Sequence, residues 1–155
     1  MVQKNILATI LINNYNNQKF FKKCINSCLT QSYKNLEIII YDDRSDDGSV
    51  SILKKIKDKR VKKVFNKRKK YKSSALNQFE AIRKSFLKSK GEIIFLLDGD
   101  DFFFKNKVKI ILNEFKKNKI INFVQDNPMY FYPNNNQKLK KRLKKKYFVM
   151  HTWPY

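Results

Sequence analysis

Ile93-Ile94-Phe95-Leu96-Leu97-Asp98-Gly99-Asp100-Asp101 is the stretch on which the fold turns. Its apolar run reads as a buried strand, and its acids fall at the strand's carboxyl end, where open α/β sheets bind ligands. Three carboxylates in four residues repel one another, so a cation or a strongly positive neighbour is expected beside them. Oxygen-only ligands suit Mg²⁺ or Mn²⁺. Acids are scarce elsewhere: the chain has 13 Asp and Glu against 35 Lys and Arg. Seven of those 13 lie in two clusters, Asp42/Asp43/Asp46/Asp47 and Asp98/Asp100/Asp101.

Working outward, the same grammar repeats. Residues 6–12 are apolar and rich in Ile, then give way to Asn13-Asn14-Tyr15-Asn16-Asn17, a buried strand followed by a polar loop. Between Gln18 and Thr30, Phe20, Phe21, Cys24, Ile25, Cys28 and Leu29 fall on one helical face. Leu36–Tyr41 is a second buried strand, ending in Asp42-Asp43-Arg44-Ser45-Asp46-Asp47-Gly48. A helix over Ser49–Ile56 follows, with Ser45 or Asp46 near its cap. Val61–Phe65 is a short strand, and residues 66–72 form a basic loop. Ser73 or Ser74 caps a helix to about Lys88, with Ala75, Phe79, Ile82 and Phe86 expected inward. Lys105–Lys117 reads as a helix with Val108, Ile111, Leu112 and Phe115 on one face, and residues 120–132 offer one or two strands. Strands alternating with helices predict a mostly parallel sheet flanked by helices, an α/β fold, in one domain over 1–155. The loops 13–17, 42–48 and 98–101 then share one edge of the sheet.

Composition bounds the function. With 42% hydrophobic and 31% charged residues, the chain fits a soluble globular protein. It has no apolar run of about 18 residues and no signal-peptide cleavage pattern, so a cytoplasmic location is expected. The net charge is +22, with twelve basic residues in 54–72 and seven in 138–146. Three readings follow: a solvated surface, peripheral contact with an anionic membrane, or nucleic-acid binding. The first is preferred, and no nucleic-acid partner is expected. Cys24 and Cys28 are read as thiols on a buried helix face, since no second Cys pair exists and His151 is the single histidine.

A cleft with an aromatic ring, several Asn, two acid clusters and a basic loop suits a nucleoside diphosphate. Tyr15 can stack on a base, and Asp43 can accept from a base N–H. Asp100 and Asp101 can hold a divalent ion bridging two phosphates, and cations from 67–72 can add charge there. No P-loop, no dinucleotide fingerprint and no nucleophile elbow is present. Paired carboxylates also raise a glycoside hydrolase, which the doubly wound pattern disfavours.

These residues resemble family 2 glycosyltransferases of the GT-A fold. ATILINNYNN is similar to that family's opening strand and Pro-x-Tyr-Asn turn. CINSCLTQSYKNLEIIIYDDRSDDGS resembles the stretch ending in Val-Asp-Asp-Gly-Ser-x-Asp, SSALN the start of a helix, and GEIIFLLDGDD the strand carrying the Asp-x-Asp-Asp metal motif. The resemblance implies nucleotide contacts from Asn13, Tyr15, Asp43 and Asp100. It implies metal ligation by Asp98, Asp100 and Asp101, with Mn²⁺ or Mg²⁺ as cofactor. The reaction it implies is inverting transfer of a sugar, from a UDP-sugar by expectation, to a hydroxyl on a glycan or lipid-linked acceptor.

Asp42 is read separately as a strand-end acid capping turn amides, and Asp46 and Asp47 as acids at a helix N-terminus. Asn13 stands where the family has Pro, and Arg44 where it has Gly, a poor choice if the backbone there needs positive φ. Tyr71 and Leu76 stand where Gly and Arg are common, leaving Lys69, Lys70 or Lys72 as replacement cations. The acceptor half and catalytic base are expected to be missing from a truncated chain, with Asp126 read as a loop acid. Two alternatives stand beside this reading: an inactive nucleotide-sugar-binding fragment, and a basic peripheral protein acting on lipid or nucleic acid. A nucleotidyltransferase would use a metal at the same strand end.

Overall fold

A computed structural model describes residues 5–67, 71–117, 120–125 and 148–151. They fall into two compact units, Met1–Ile110 and Ile111–Tyr155. The elements run β1 (Ala8–Asn14), α1 (Gln18–Leu29), β2 (Leu36–Asp42), α2 (Ser49–Lys55), β3 (Val61–Phe65) and α3 (Ser74–Phe86). They continue with β4 (Ile93–Asp98), α4 (Lys107–Lys117), β5 (Ile121–Gln125) and β6 (Phe148–His151).

In the first unit, four strands form a parallel sheet in the order β3-β2-β1-β4. The two central strands are the Ile-rich runs. β2 is buried at every position and β1 at all but Asn13, as apolar runs covered on both faces require. The order reverses after β3, so the connection through α3 travels back across the sheet. With right-handed crossovers, α1 and α2 share one face and α3 takes the other. The switch point lies between β1 and β4.

Of the stripe that its periodicity predicts, α1 buries Phe21, Cys24, Ile25 and Cys28, half-buries Leu29 and leaves Phe20 exposed. Both thiols are free and buried, and burial pushes Cys28 up to about 12. Gln31, fully buried, accepts from the Val108 N–H at 3.1 Å and donates to the Phe104 carbonyl at 2.8 Å, fixing the start of α4. At the amino edge of the sheet, Gly91 passes so close to β1 that a Cβ would lie 2.6 Å from the Thr9 backbone nitrogen.

Two expectations need correction. α3 does not face inward with Ala75, Phe79, Ile82 and Phe86: Ala75 is exposed, Phe79 and Phe86 are 60% and 55% exposed, and Ile82 is half-buried. It presents Ala81 and Ser85 to the sheet, because a helix lying close on strands needs small side chains at the contact. α2 is capped neither by Ser45 nor by Asp46: its N-cap is Gly48, and the Asp47 carboxylate takes the Ser49 N–H at 2.8 Å. Ser73 does cap α3, accepting from the Leu76 N–H.

In the second unit, β5 and β6 pair antiparallel, with Val124 opposite Val149 and Gln125 opposite Phe148. Of the strands expected in 120–132, the first is β5. Residues 126–132 lie outside the described residues, as do Asp126, Lys69, Lys70 and the basic run 138–146.

Candidate functional site

Parallel register brings the strand ends level. Asn14 pairs with Asp42 across β1 and β2, and Asn13 pairs with Asp98 across β1 and β4. The ladder continues one rung further: the Gly99 N–H reaches the Asn13 carbonyl at 2.7 Å, and the Asp43 N–H reaches the Asn14 carbonyl at 2.8 Å. The loops after β1, β2 and β4 therefore share one edge, at the switch point where such sheets bind ligands. Asp43 and the 98–101 turn stand roughly 10 Å apart, the width of two strand spacings.

The first two loops are laced together. Asn14 donates to Asp42 Oδ2 at 2.8 Å, and Asp42 accepts from both the Ser45 N–H at 2.9 Å and the Ser45 hydroxyl at 2.8 Å. Ser45 Oγ in turn accepts from the Asn16 N–H at 3.0 Å. Asn16 and Asp46 bond reciprocally, Nδ2 to Oδ1 at 2.7 Å and the Asp46 N–H to Asn16 Oδ1 at 2.9 Å. Asp47 spans two helix starts, taking the Gln18 N–H of α1 on one oxygen and the Ser49 N–H of α2 on the other, both at 2.8 Å. Burial raises its pKa, but the hydrogen bonds from Ser49 and Gln18 outweigh that and hold the carboxyl below its ordinary range. Asp42 and Asp47 thus act on backbone amides, as expected. Asp46 instead joins Asn16.

This lacing strains the chain at two points. Asn16 sits at φ 52° and Arg44 at φ 61°. Asn tolerates the left-handed region, and Arg does not do so readily. The positive φ after Asp42-Asp43 is the backbone that a Gly would adopt without cost.

Asp43 is buried at the end of β2, where Asn66 Nδ2 donates to its Oδ1 at 2.6 Å. Beside it lies a recess of about 100 Å³ lined by Tyr41, Asn66, Tyr71, Asn77, Glu80 and Lys84. Asn77 shapes its wall by gripping the Tyr71 backbone from both sides, N–H to Oδ1 at 2.8 Å and Nδ2 to the carbonyl at 2.9 Å. Lys84 reaches the Tyr41 hydroxyl at 3.3 Å. Asn66, Asn77 and Lys84 escaped sequence reasoning. Asn66 carried a signal, since it directly follows β3 and must reach the same edge. Tyr15 is half exposed at the opening of the first loop.

The third loop is a turn closed by the Asp101 N–H on the Asp98 carbonyl at 3.0 Å. Asp98, Asp100 and Asp101 are exposed, and Asp98 Oδ1 accepts from Gln78 Nε2 of α3 at 3.2 Å. Gly99 is the buried pivot: a Cβ there would lie 2.5 Å from Asn14 Oδ1 and 3.1 Å from the Asn13 carbonyl. Burial raises the Asp101 pKa, and repulsion from Asp100 and Asp98 raises it further. The side-chain oxygens of Asn13 and Asn14 are buried here without a hydrogen-bond partner. Among the described residues, no three His, Cys, Asp or Glu side chains converge closely enough to hold a metal ion by themselves.

The sequence profile of glycosyl transferase family 2 matches residues 9–154. The chain belongs to glycosyl transferase family 2. An uncharacterised glycosyltransferase of Haemophilus influenzae is 36% identical over 119 residues, which is 74% of this chain and 44% of that protein. The Escherichia coli protein WfaP, named a UDP-Glc:alpha-D-GlcNAc-diphosphoundecaprenol beta-1,3-glucosyltransferase, is 37% identical over 66% of this chain and 38% of its own. The family 2 chain therefore spans less than half the length of these curated relatives. Its fold is also that of Staphylococcus aureus TarS in complex with UDP, with a TM-score of 0.61 at 20% identity over 71% of this chain and 32% of TarS. A Pyrobaculum calidifontis mannosyltransferase solved with GDP-Man and Mn²⁺ has a TM-score of 0.59 at 16% identity, with the same coverages of 71% and 32%. These likenesses establish the GT-A arrangement of the sheet.

Proposed function

We propose that this edge of the sheet binds a nucleotide-diphosphate sugar, with UDP-sugars the preferred class. The sugar passes to a hydroxyl of a glycan or lipid-linked acceptor, with inversion at the anomeric carbon. One observation carries the reading. A buried carboxylate beside a small recess and an exposed acidic turn stand at the same sheet edge, a nucleoside diphosphate's length apart. Asp43 accepts a base N–H, Tyr15 stacks on the ring, and Asn13 and Asp100 orient the ribose and phosphates. That two relatives are named for UDP-Glc favours uridine as the base.

The residues fit a divalent cation. The donor set is all oxygen, as Mg²⁺ and Mn²⁺ prefer, and the crowding that raises Asp101 is what a cation would relieve. One or two of Asp98, Asp100 and Asp101 would hold it, leaving the remaining positions to phosphate oxygens and water. When bound, such an ion offsets charge on the departing diphosphate. Lys23, 3.8 Å from the centre of the Phe102 ring, adds a cation beside the same turn.

The test is thermal stability of the purified chain against UDP, GDP, CDP and their sugars, each with Mn²⁺ or EDTA. A ligand in hundredfold excess over its Kd adds about 2.7 kcal/mol to the native state. The expected result is a metal-dependent rise with uridine nucleotides, lost in Asp101→Ala and reduced in Asp43→Asn. Folded protein with no rise for any nucleotide would overturn the reading. Nucleotide binding without sugar transfer would mark an inactive donor-binding chain.

A further inference from the structure

Away from the carboxyl edge, α1 and α2 leave between them a groove of about 500 Å³. Its floor is aliphatic: Ile25 and Leu29, one turn apart on α1, face Ile52 and Ile56, which share the same spacing at α2. Its rim carries Lys22, Lys55 and Lys57, all exposed. The one rim acid is Asp58, and it is already neutralised. Arg60 donates to it through Nε at 3.0 Å and Nη2 at 2.8 Å, and this pairing brings its pKa down to about 2. Arg60 Nη2 also holds the Leu29 carbonyl at 3.1 Å, and Lys63 Nζ caps the end of α2 on the Ile56 carbonyl at 2.6 Å. Arg60 and Lys63 thus brace the groove's walls, and among the described lining residues the exposed Lys22, Lys55 and Lys57 face no acid but the paired Asp58.

We infer that the α1–α2 groove docks an anionic phospholipid surface, the lysines on headgroup phosphates and the aliphatic floor on glycerol and the upper acyl chain. The pairing of charge and apolar floor selects this occupant. A single-stranded nucleic acid would want aromatic stacking partners, a duplex would engage the lysines and leave the four aliphatic side chains idle, and free phosphate would have no use for the floor. An apolar strip flanked by Lys is the pattern of surfaces that lie in the membrane interface. The site is independent of the donor-binding edge.

The experiment is co-sedimentation of the full chain with vesicles of phosphatidylcholine alone or mixed with phosphatidylglycerol, at physiological salt. There the Debye length is about 8 Å, so each charge acts locally. Each lysine at an anionic surface is worth roughly fivefold in affinity. The triple variant Lys22→Gln/Lys55→Gln/Lys57→Gln is therefore expected to lose on the order of 100-fold. A control removing Lys88, Lys90 and Lys116 in the same way is expected to lose far less. Circular dichroism confirms that both variants fold. In the second arm, soluble dihexanoyl-phosphatidylglycerol is expected to raise the melting point of the chain, and glycerol phosphate to leave it unchanged.

Equal losses in the two triple variants would overturn the proposal in favour of undirected surface charge. So would absence of binding to the anionic vesicles. Glycerol phosphate acting as well as the lipid would reduce the groove to an anion site. An oligonucleotide bound more tightly than vesicles through the same three lysines would assign it to nucleic acid.

Discussion

Arg44 occupies a backbone position, φ 61°, that costs an ordinary L-residue roughly 1–2 kcal/mol. Its neighbours impose this, because Asp42 and Asp43 end a central strand while Ser45 must fold back to give both its N–H and its hydroxyl to Asp42. Arg44→Gly would mix relief of strain with a looser unfolded chain. The cleaner pair is Arg44→Asn and Arg44→Val. Asn is expected to hold or raise the melting point, and Val to lower stability by about 1–2 kcal/mol, since β-branching is least compatible with positive φ. Equal melting points for the two would show that the turn relaxes around whatever it is given. The residue scale was well legible where a side chain has one job. Asp42 and Asp47 were readable as acids serving backbone amides because strand ends and helix starts create unsatisfied N–H groups there. The grip of Asn77 on Tyr71 was not, since nothing in six residues of spacing announces a fold-back.

At the scale of elements, α3 is the instructive case. Its apolar residues recur at helical spacing, yet Leu76, Phe79 and Phe86 are more than half exposed, while Ala81 and Ser85 are buried. Periodicity finds the greasiest face of a helix. It cannot find the closest contact, which here goes to small side chains over β1 and β2. Phe79→Ser and Phe86→Ser are accordingly expected to change stability by less than about 1 kcal/mol and to reduce self-association at high concentration. Chemical denaturation and light scattering read the two effects, and a loss of 3 kcal/mol or more would restore the inward assignment. Leu36–Tyr41, short and apolar but for Glu37, is buried throughout as read; Ile93–Leu97, read as equally buried, is instead an edge strand among the described residues, with Leu96 55% exposed.

At the scale of the whole chain, the two edges of the sheet divide the labour. The carboxyl edge gathers the acids of the three loops, and at the amino edge Glu37 ties three strands and a loop together. Glu37, on β2, accepts from the Thr9 hydroxyl and the Lys90 N–H, both at 2.8 Å, and pairs with Lys62 of β3. Burial raises its pKa, but the bonds from Lys62, Lys90 and Thr9 outweigh burial and leave it lowered. A carboxylate lowered in the folded state contributes stability that is complete above its unfolded pKa of about 4.3 and is lost as pH falls through its native value. Wild type is expected to exceed Glu37→Gln by about 1–3 kcal/mol at pH 7, with the gap closing as pH falls below about 4. A gap independent of pH would mean that shape, not charge, sets the contribution of Glu37. Charge composition foretold none of this, because a net +22 says nothing about which few acids are buried.

The lacing between residues 14–18 and 42–49 has a bearing on how such a chain can change. Asn14, Asn16 and Gln18 on one side answer Asp42, Ser45, Asp46, Asp47 and Gly48 on the other, donor for acceptor. The two segments work as a pair, though 23 residues separate them along the chain. A crossover that imports one from a relative and keeps the other leaves several partners mismatched at once, with no single substitution able to repair them. Viable recombinants in this region will carry their breakpoints before residue 14 or after residue 49.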